Sequence, residues 1–150
     1  MNNKLEVSAI KDGTVIDHIP ADSLFKAINI LHLDTIGETI TFGTNFISKR
    51  LGRKAIIKLA NIYFKDSDIN RIALVAPAAK LNIIKDYKVI EKRIVEVPDE
   101  ITGIVKCVNP KCITNHEDIV TRFQIIDKEK IQLHCHFCEK ITDKEHLNVL

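Results

Sequence analysis

The chain has 150 residues, 45% of them apolar, with 22 basic and 20 acidic side chains and a net charge of +2. That is room for one ordinary domain or two small ones, and the near-neutral balance argues against a dedicated nucleic-acid coat or an acidic tail. With 25 isoleucines and no Trp, the core is expected to be aliphatic. The longest apolar run, Ile72 to Ala79, contains Pro77 and falls well short of the roughly 20 residues that cross a membrane. The start, Met1-Asn2-Asn3-Lys4-Leu5-Glu6, has no apolar signal core, so a cytoplasmic chain without membrane attachment is expected.

Leu5 to Ile10 has the period of a strand. Lys11-Asp12-Gly13 reads as a turn, and Thr14 to Ile19 as a second strand, stopped by Pro20. Asp22 or Ser23 is expected to cap a helix reaching about Leu33, with Leu24, Ile28 and Leu31 on one face. After Gly37, Thr39 to Phe46 is β-branched and aromatic and reads as a strand. Ser48 to Arg53 is a basic loop, and Lys54 to Ile62 fits either helix or strand. Asp66 or Ser67 should cap a second helix to about Val75, with Ile69, Ile72 and Ala73 inward and Pro77 ending it. Lys80 to Val97 holds two strand-like runs broken at Lys85-Asp86. The order strand, helix, strand, strand, helix, strand is ferredoxin-like: an antiparallel sheet with two helices on one face.

Pro98-Asp99-Glu100 is a break, which gives expected domains of 1–98 and 99–150 and an α+β chain overall. Residues 101–150 show only short strand-like runs, at Ile101 to Val105, Ile119 to Ile126, Ile131 to His134 and Leu147 to Leu150, and read as a small all-β domain. A domain that small buries little surface against its chain entropy. All four cysteines lie in it: Cys107, Cys112, Cys135 and Cys138, spaced C-x4-C and C-x2-C.

Two such knuckles let paired thiolates converge on one Zn²⁺ in a closed, structural tetrahedron. The competing readings are two disulfides, free thiols, an iron–sulfur cluster, or a thioredoxin-like role for Cys135 and Cys138 that leaves the other pair unexplained. His134 and His136 flank the second knuckle, and strand alternation points both away from Cys135's side.

In the first half, Asp17-His18-Ile19-Pro20 ends a strand, Lys54 and Lys58 share a face in helix or strand alike, and Lys92 lies in a later strand. Read alone, these residues are a surface cap and a solvated face. Together they could make a nucleotide site, with lysines on phosphates and Asp and His on ribose or base, but on the residues alone that site ranks below the plain surface reading. There is no P-loop, no G-x-G-x-x-G and no spacing that supports a catalytic set.

Gly13-Thr14-Val15-Ile16-Asp17-His18-Ile19-Pro20, Gly52-Arg53-Lys54 with Ile57-Lys58, Leu74 to Pro77, Cys107-x4-Cys112 and Cys135-x2-Cys138-Glu139 occur in this order. Together they resemble the regulatory chain of aspartate carbamoyltransferase from about Leu5 to the end. The resemblance implies a non-catalytic allosteric subunit in pyrimidine biosynthesis. Its N-terminal domain would bind nucleotide effectors, with CTP and UTP inhibitory and ATP activating, and with Mg²⁺ a further open question. Its zinc domain would dock on the catalytic chain, and two copies would pair through their N-terminal domains and link catalytic trimers.

By position, the resemblance puts effector contacts on Val7, Ala9, Ile10, Val15, Asp17, His18, Lys54, Lys58, Asn82, Tyr87, Val89 and Lys92. Zinc falls on the four cysteines, and catalytic-chain contacts on Asn109 and Glu139. Lys111 and His136 depart from the family pattern, which bears on docking, and the basic loop Ser48 to Leu51 bears on effector strength. The rival reading is a zinc-ribbon protein that binds nucleic acid. It needs a basic, aromatic face, whereas residues 101–150 have seven basic and seven acidic side chains, two Phe and no Tyr.

Overall fold

The computed structural model describes residues 9–150. The expected strand at Leu5 to Ile10, and with it Val7, lies outside the described residues apart from Ala9 and Ile10, which are not in a strand. The chain divides into two compact units, residues 1–96 and 97–150.

Unit 1 is built from β1 (Gly13–Pro20), α1 (Leu24–Ile30), β2 (Ile40–Ser48), β3 (Gly52–Ala60), α2 (Asp66–Ile72), β4 (Lys80–Lys85) and β5 (Lys88–Ile94). The sheet order is β2-β3-β1-β4-β5, antiparallel throughout. This is the ferredoxin-like order with a fifth strand added at one edge. Lys54 to Ile62, ambiguous in sequence, is the strand β3: Ala55, Ile57 and Leu59 are buried, and Lys54, Ile56 and Lys58 alternate to the half-buried face. Gly13 starts β1 at φ +138°, where a Cβ would sit 2.0 Å from the Leu59 carbonyl oxygen. No other residue fits so close to the neighbouring backbone.

Both helices are shorter than their sequence pattern suggests. α1 ends at Ile30, and His32 turns left-handed (φ 53°) into a 3-10 turn at Leu33–Thr35. Its buried face is Leu24, Ala27 and Ile30, not Leu24, Ile28 and Leu31. The small Ala27 occupies the middle of the buried face, which displaces the larger Ile28 to a half-buried position. Neither expected cap forms. Ser23 bonds Asp22 (3.3 Å) and makes no cap bond, and α2 starts after Lys65 with the Asp66 carboxylate on Arg93 instead. Ile69 and Ile72 face inward as expected, and Ala73 to Ala76 continue the core as turns.

Unit 2 contains β6 (Glu100–Thr102), β7 (Val105–Lys106), β8 (Arg122–Asp127), β9 (Gln132–Cys135), β10 (Ile141–Asp143) and β11 (Asn148–Val149). They form a four-stranded sheet, β10-β9-β8-β6, and a two-stranded sheet, β11-β7. Gly103 (φ 69°) splits the expected run Ile101 to Val105 between the two sheets. The core is Ile101, Val105, Phe123, Ile125, Ile131, Leu133 and Leu147, together with buried cysteines.

Candidate functional site

Antiparallel register turns scattered residues of unit 1 into a row. On the sheet face away from the core, Lys58 of β3 pairs with Val15 of β1, Val15 with Asn82 of β4, and Asn82 with Lys92 of β5. Directly paired residues point to the same side, so four of the residues singled out in the sequence share one line across four strands. In the next row Asp17 pairs with Lys80 and Lys80 with Ile94. Lys80 escaped the sequence reading, although its period of two with Asn82 would have found it.

The pairing of β1 with β3 is irregular between Ile16 and Ile19, and His18 is left-handed there (φ 62°). Asp17-His18 therefore makes an irregularity in β1 just ahead of its end at Pro20, where the sequence also stops the strand. The Asp17 carboxylate takes the Lys54 ammonium at 3.0 Å and the His18 amide at 2.6 Å. His18 Nδ1 is buried without a hydrogen bond, 3.6 Å from Asp17 Oδ2. Asp17, His18, Lys80, Asn82, Lys92, Arg93 and Ile94 line a cavity of about 390 Å³. Burial lowers the pKa of Lys58, so its charge is carried against a desolvation cost.

Val89 pairs with Ile84, two residues along β4 from Asn82, and lies on the same face. Tyr87 is exposed in the β4–β5 turn (φ 66°), where its amide donates to the Lys11 carbonyl at 2.9 Å. That bond brings the segment holding Ala9 and Ile10 to the β4–β5 turn.

In unit 2 the four cysteine sulfurs all lie within 4.8 Å of one another. Cys107 and Cys138 are 3.6 Å apart and Cys112 and Cys135 3.8 Å apart. A disulfide needs about 2.05 Å, so these are four free thiols converging on one point. Four sulfurs at about 2.3 Å from a tetrahedral ion stand about 3.8 Å apart, so the donor set fits a metal ion. Burial pushes the Cys107 thiol up to about 12 and raises Cys135 as well. Burial also opposes ionisation of Cys138, but hydrogen bonds from the Asn109 side chain and the Lys140 backbone bring it down to about 7. Four thiolates in this space need a cation.

The first knuckle is closed by Cys112 N–H to Asn109 O (3.0 Å) and the second by Glu139 N–H to Cys135 O (3.0 Å), with Glu139 left-handed at φ 64°. Asn115, which drew no notice in the sequence, donates its side-chain amide to the carbonyls of Cys107 (3.0 Å) and Asn109 (2.8 Å) and so braces the first knuckle. Asn109 accepts from the Lys111 amide at 3.0 Å, while Glu139 is exposed. His134 and His136 stay more exposed than the fully buried Cys135 between them. Among the described residues no helix is long and apolar enough to cross a membrane.

Known proteins match both units. Residues 5–96 match the family "aspartate carbamoyltransferase regulatory chain, allosteric domain", and residues 99–148 match "aspartate carbamoyltransferase regulatory chain, metal binding domain". A regulatory chain of that name from Phocaeicola vulgatus is 54% identical over 146 residues, covering 97% of this chain and 94% of the relative. The one from Bacteroides fragilis is 51% identical with 97% and 95% covered, and the one from Pyrococcus abyssi 51% identical with 96% of each covered. On both comparisons the chain belongs to the family of aspartate carbamoyltransferase regulatory chains, a non-catalytic subunit with an allosteric and a metal-binding domain.

Proposed function

We propose that unit 1 binds nucleotide effectors on the row Lys58–Val15–Asn82–Lys92, and that unit 2, folded on Zn²⁺, docks on the catalytic chain. The row is the observation that carries the effector reading. It crosses three interstrand spacings, about 14 Å, a length suited to one extended nucleotide, with a cation at each end and Val15 between them. Lys92, with Lys80, Asp17 and His18 around the adjoining cavity, would take phosphates and ribose. Ile10 and Tyr87 would flank the base, with Ala9 and Val89 completing that end and Lys58 opposite.

Asp17 is already neutralised by Lys54, so Mg²⁺, if carried, would travel on the nucleotide's phosphates. CTP and UTP as inhibitors and ATP as activator are the proposed effectors. Such effectors act only by binding one quaternary state better than another, with a coupling typically of about 1–3 kcal/mol.

Cys107, Cys112, Cys135 and Cys138 would hold zinc. The ion would supply folding free energy and, with four thiolates and no open position, no catalysis. Asn109 and Glu139 sit at the two knuckles, and the same metal that shapes the knuckles would therefore shape the proposed contact with the catalytic chain. A second copy is proposed to pair along β2, an edge strand bearing exposed Phe42 and Ile47, with Phe25 edge-to-face against Phe42 at 6.3 Å. Such pairs would link catalytic trimers in a cytoplasmic complex.

The test is an effector titration of the assembled complex. Lys58→Ala should abolish the response to CTP and ATP and leave catalysis without nucleotide unchanged. A response of wild-type size would remove Lys58 from the site.

A further inference from the structure

Among the described residues β5 is an edge strand, bonded on one side only, to β4. Six of its seven residues are exposed, and Arg93 alone is half-buried. Successive residues of this strand face opposite ways. Lys92 pairs with Asn82 on the proposed nucleotide face, whereas Arg93 pairs with Leu81, a core residue on the helix side. There the Arg93 guanidinium holds two carboxylates at once: Glu91 of its own strand through Nε at 3.0 Å, and Asp66 at the start of α2 through Nη1 at 3.0 Å. The hydrogen bond to Glu91, that residue's charge and the charge of Asp66 all raise the Arg93 pKa, so the charge is fixed.

One turn further along α2, Asn70 Oδ1 accepts from the Glu96 amide at 3.2 Å. Glu96 is the last residue of unit 1. Arg93 and Ile94 also line both the cavity beside Lys92 and a second cavity of about 370 Å³ bounded by Asp66, Ile69 and Asn70 of α2. The strand segment next to the phosphate-binding lysine is thus fastened to α2, and α2 grips the chain where it leaves the unit.

We propose that Arg93 is the positioning residue through which effector binding reaches the end of unit 1. It couples the displacement of β5 at Lys92 to α2 by way of Asp66, and α2 in turn sets the position of Glu96 by way of Asn70. Arg93 touches no nucleotide in this scheme. A planar guanidinium can hold two carboxylates in fixed directions, which an ammonium cannot. An edge strand with little buried surface is the kind of element that shifts at low free-energy cost. The proposal rests on the effector reading of Lys92 and adds the route by which that site is heard.

The test uses the assembled complex of regulatory and catalytic chains with CTP as the probe. Two quantities are read: CTP affinity by equilibrium dialysis, and the CTP-induced shift in substrate half-saturation. Arg93→Gln is expected to hold affinity within about threefold of wild type while shrinking the shift roughly twofold or more, as for residues on a coupling route. Asp66→Asn should act in the same direction, and the double variant should lose no more than the larger single loss, because both remove one contact. Arg93→Lys should restore part of the shift.

A shift of wild-type size in Arg93→Gln overturns the proposal. So does a parallel loss of affinity and shift, which would make Arg93 a binding residue. Failure of the effector reading is distinct: the wild-type complex then binds no CTP, or Lys92→Ala binds it as tightly as wild type, and the proposal falls with it.

Discussion

Removing the metal should unfold unit 2 and leave unit 1 folded. Apart from cysteine, the core of unit 2 is seven side chains: Ile101, Val105, Phe123, Ile125, Ile131, Leu133 and Leu147. At about 1.5–3 kcal/mol each, their burial is worth roughly 10–20 kcal/mol before any entropy is charged against it. Structural zinc in small domains contributes roughly 10–16 kcal/mol, as much as that whole core and more than the net stability of about 5–15 kcal/mol that a domain retains. Chelation would also leave Cys107, Cys112 and Cys135, each at most 2% exposed, as packed thiols with nothing drawing them together.

Hydrogen exchange read by mass spectrometry on the full chain resolves the two units. After chelation, peptides covering Arg122–Asp127 and Gln132–Cys135 should lose all protection. Those covering Gly13–Pro20 and Gly52–Ala60 should keep theirs. Persistent protection of β8 and β9 with metal loss verified by elemental analysis would refute the reasoning.

Asn115→Ala removes the donor that braces the carbonyls of Cys107 and Asn109. Zinc affinity, measured by competition with a chelating dye, should fall about tenfold or more, and unchanged affinity would deny the brace a role. Ile47→Asp places a charge on the β2 edge, where Ile47 is 82% exposed. Sedimentation equilibrium of the full chain should show the proposed dimer weakened, and an unaltered dimer would move the interface elsewhere.

Burial holds the Lys58 pKa below its ordinary value. Between the lowered folded value and the higher unfolded one, the unfolded chain binds more protons, so stability rises with pH across that window. CTP affinity should fall across the same window as the ammonium is lost, and Lys58→Arg should flatten the decline. A wild-type pH profile in Lys58→Arg would assign the titration to another group.

Much of the fold follows from alternation and punctuation. Gly13, Pro20 and the paired cysteines mark where elements begin, end or converge, and each acts through local backbone geometry or ligand chemistry, whereas the loop expected at Ser48 to Arg53 narrows to 49–51 because Ser48 and Gly52 pair at the ends of β2 and β3. The row on the outer face of the unit 1 sheet is different in kind. Lys58, Val15, Asn82 and Lys92 are distant in sequence and become neighbours only through the register of β3, β1, β4 and β5, which no single strand encodes. The end of β1 at Pro20 is legible in the sequence, but the irregular pairing opposite β3 between Ile16 and Ile19 is not, for a related reason.

The face of α1 departs from its sequence pattern because the hydrophobic pattern of Leu24, Ile28 and Leu31 competes with the tighter packing that Ala27 permits, whereas α2 buries Ile69 and Ile72 as expected. The short strand β10 lay in a polar stretch, Ile141-Thr142-Asp143, where only pairing with β9 defines it. Arg93, Lys80 and Asn115 carry no motif at all, and their partners come from other elements.

One nucleotide is proposed to lie across the row from Lys58 to Lys92. Equilibrium dialysis of CTP against the assembled complex, with wild-type chain and with Lys58→Ala/Lys92→Ala, tests it most directly. One nucleotide per regulatory chain is expected in the wild type. Loss of two charge-assisted contacts, each worth about 1.5–3 kcal/mol, predicts a fall in affinity of at least about a hundredfold in the double variant. Absence of CTP binding in the wild type, or equal affinity in both complexes, would contradict it.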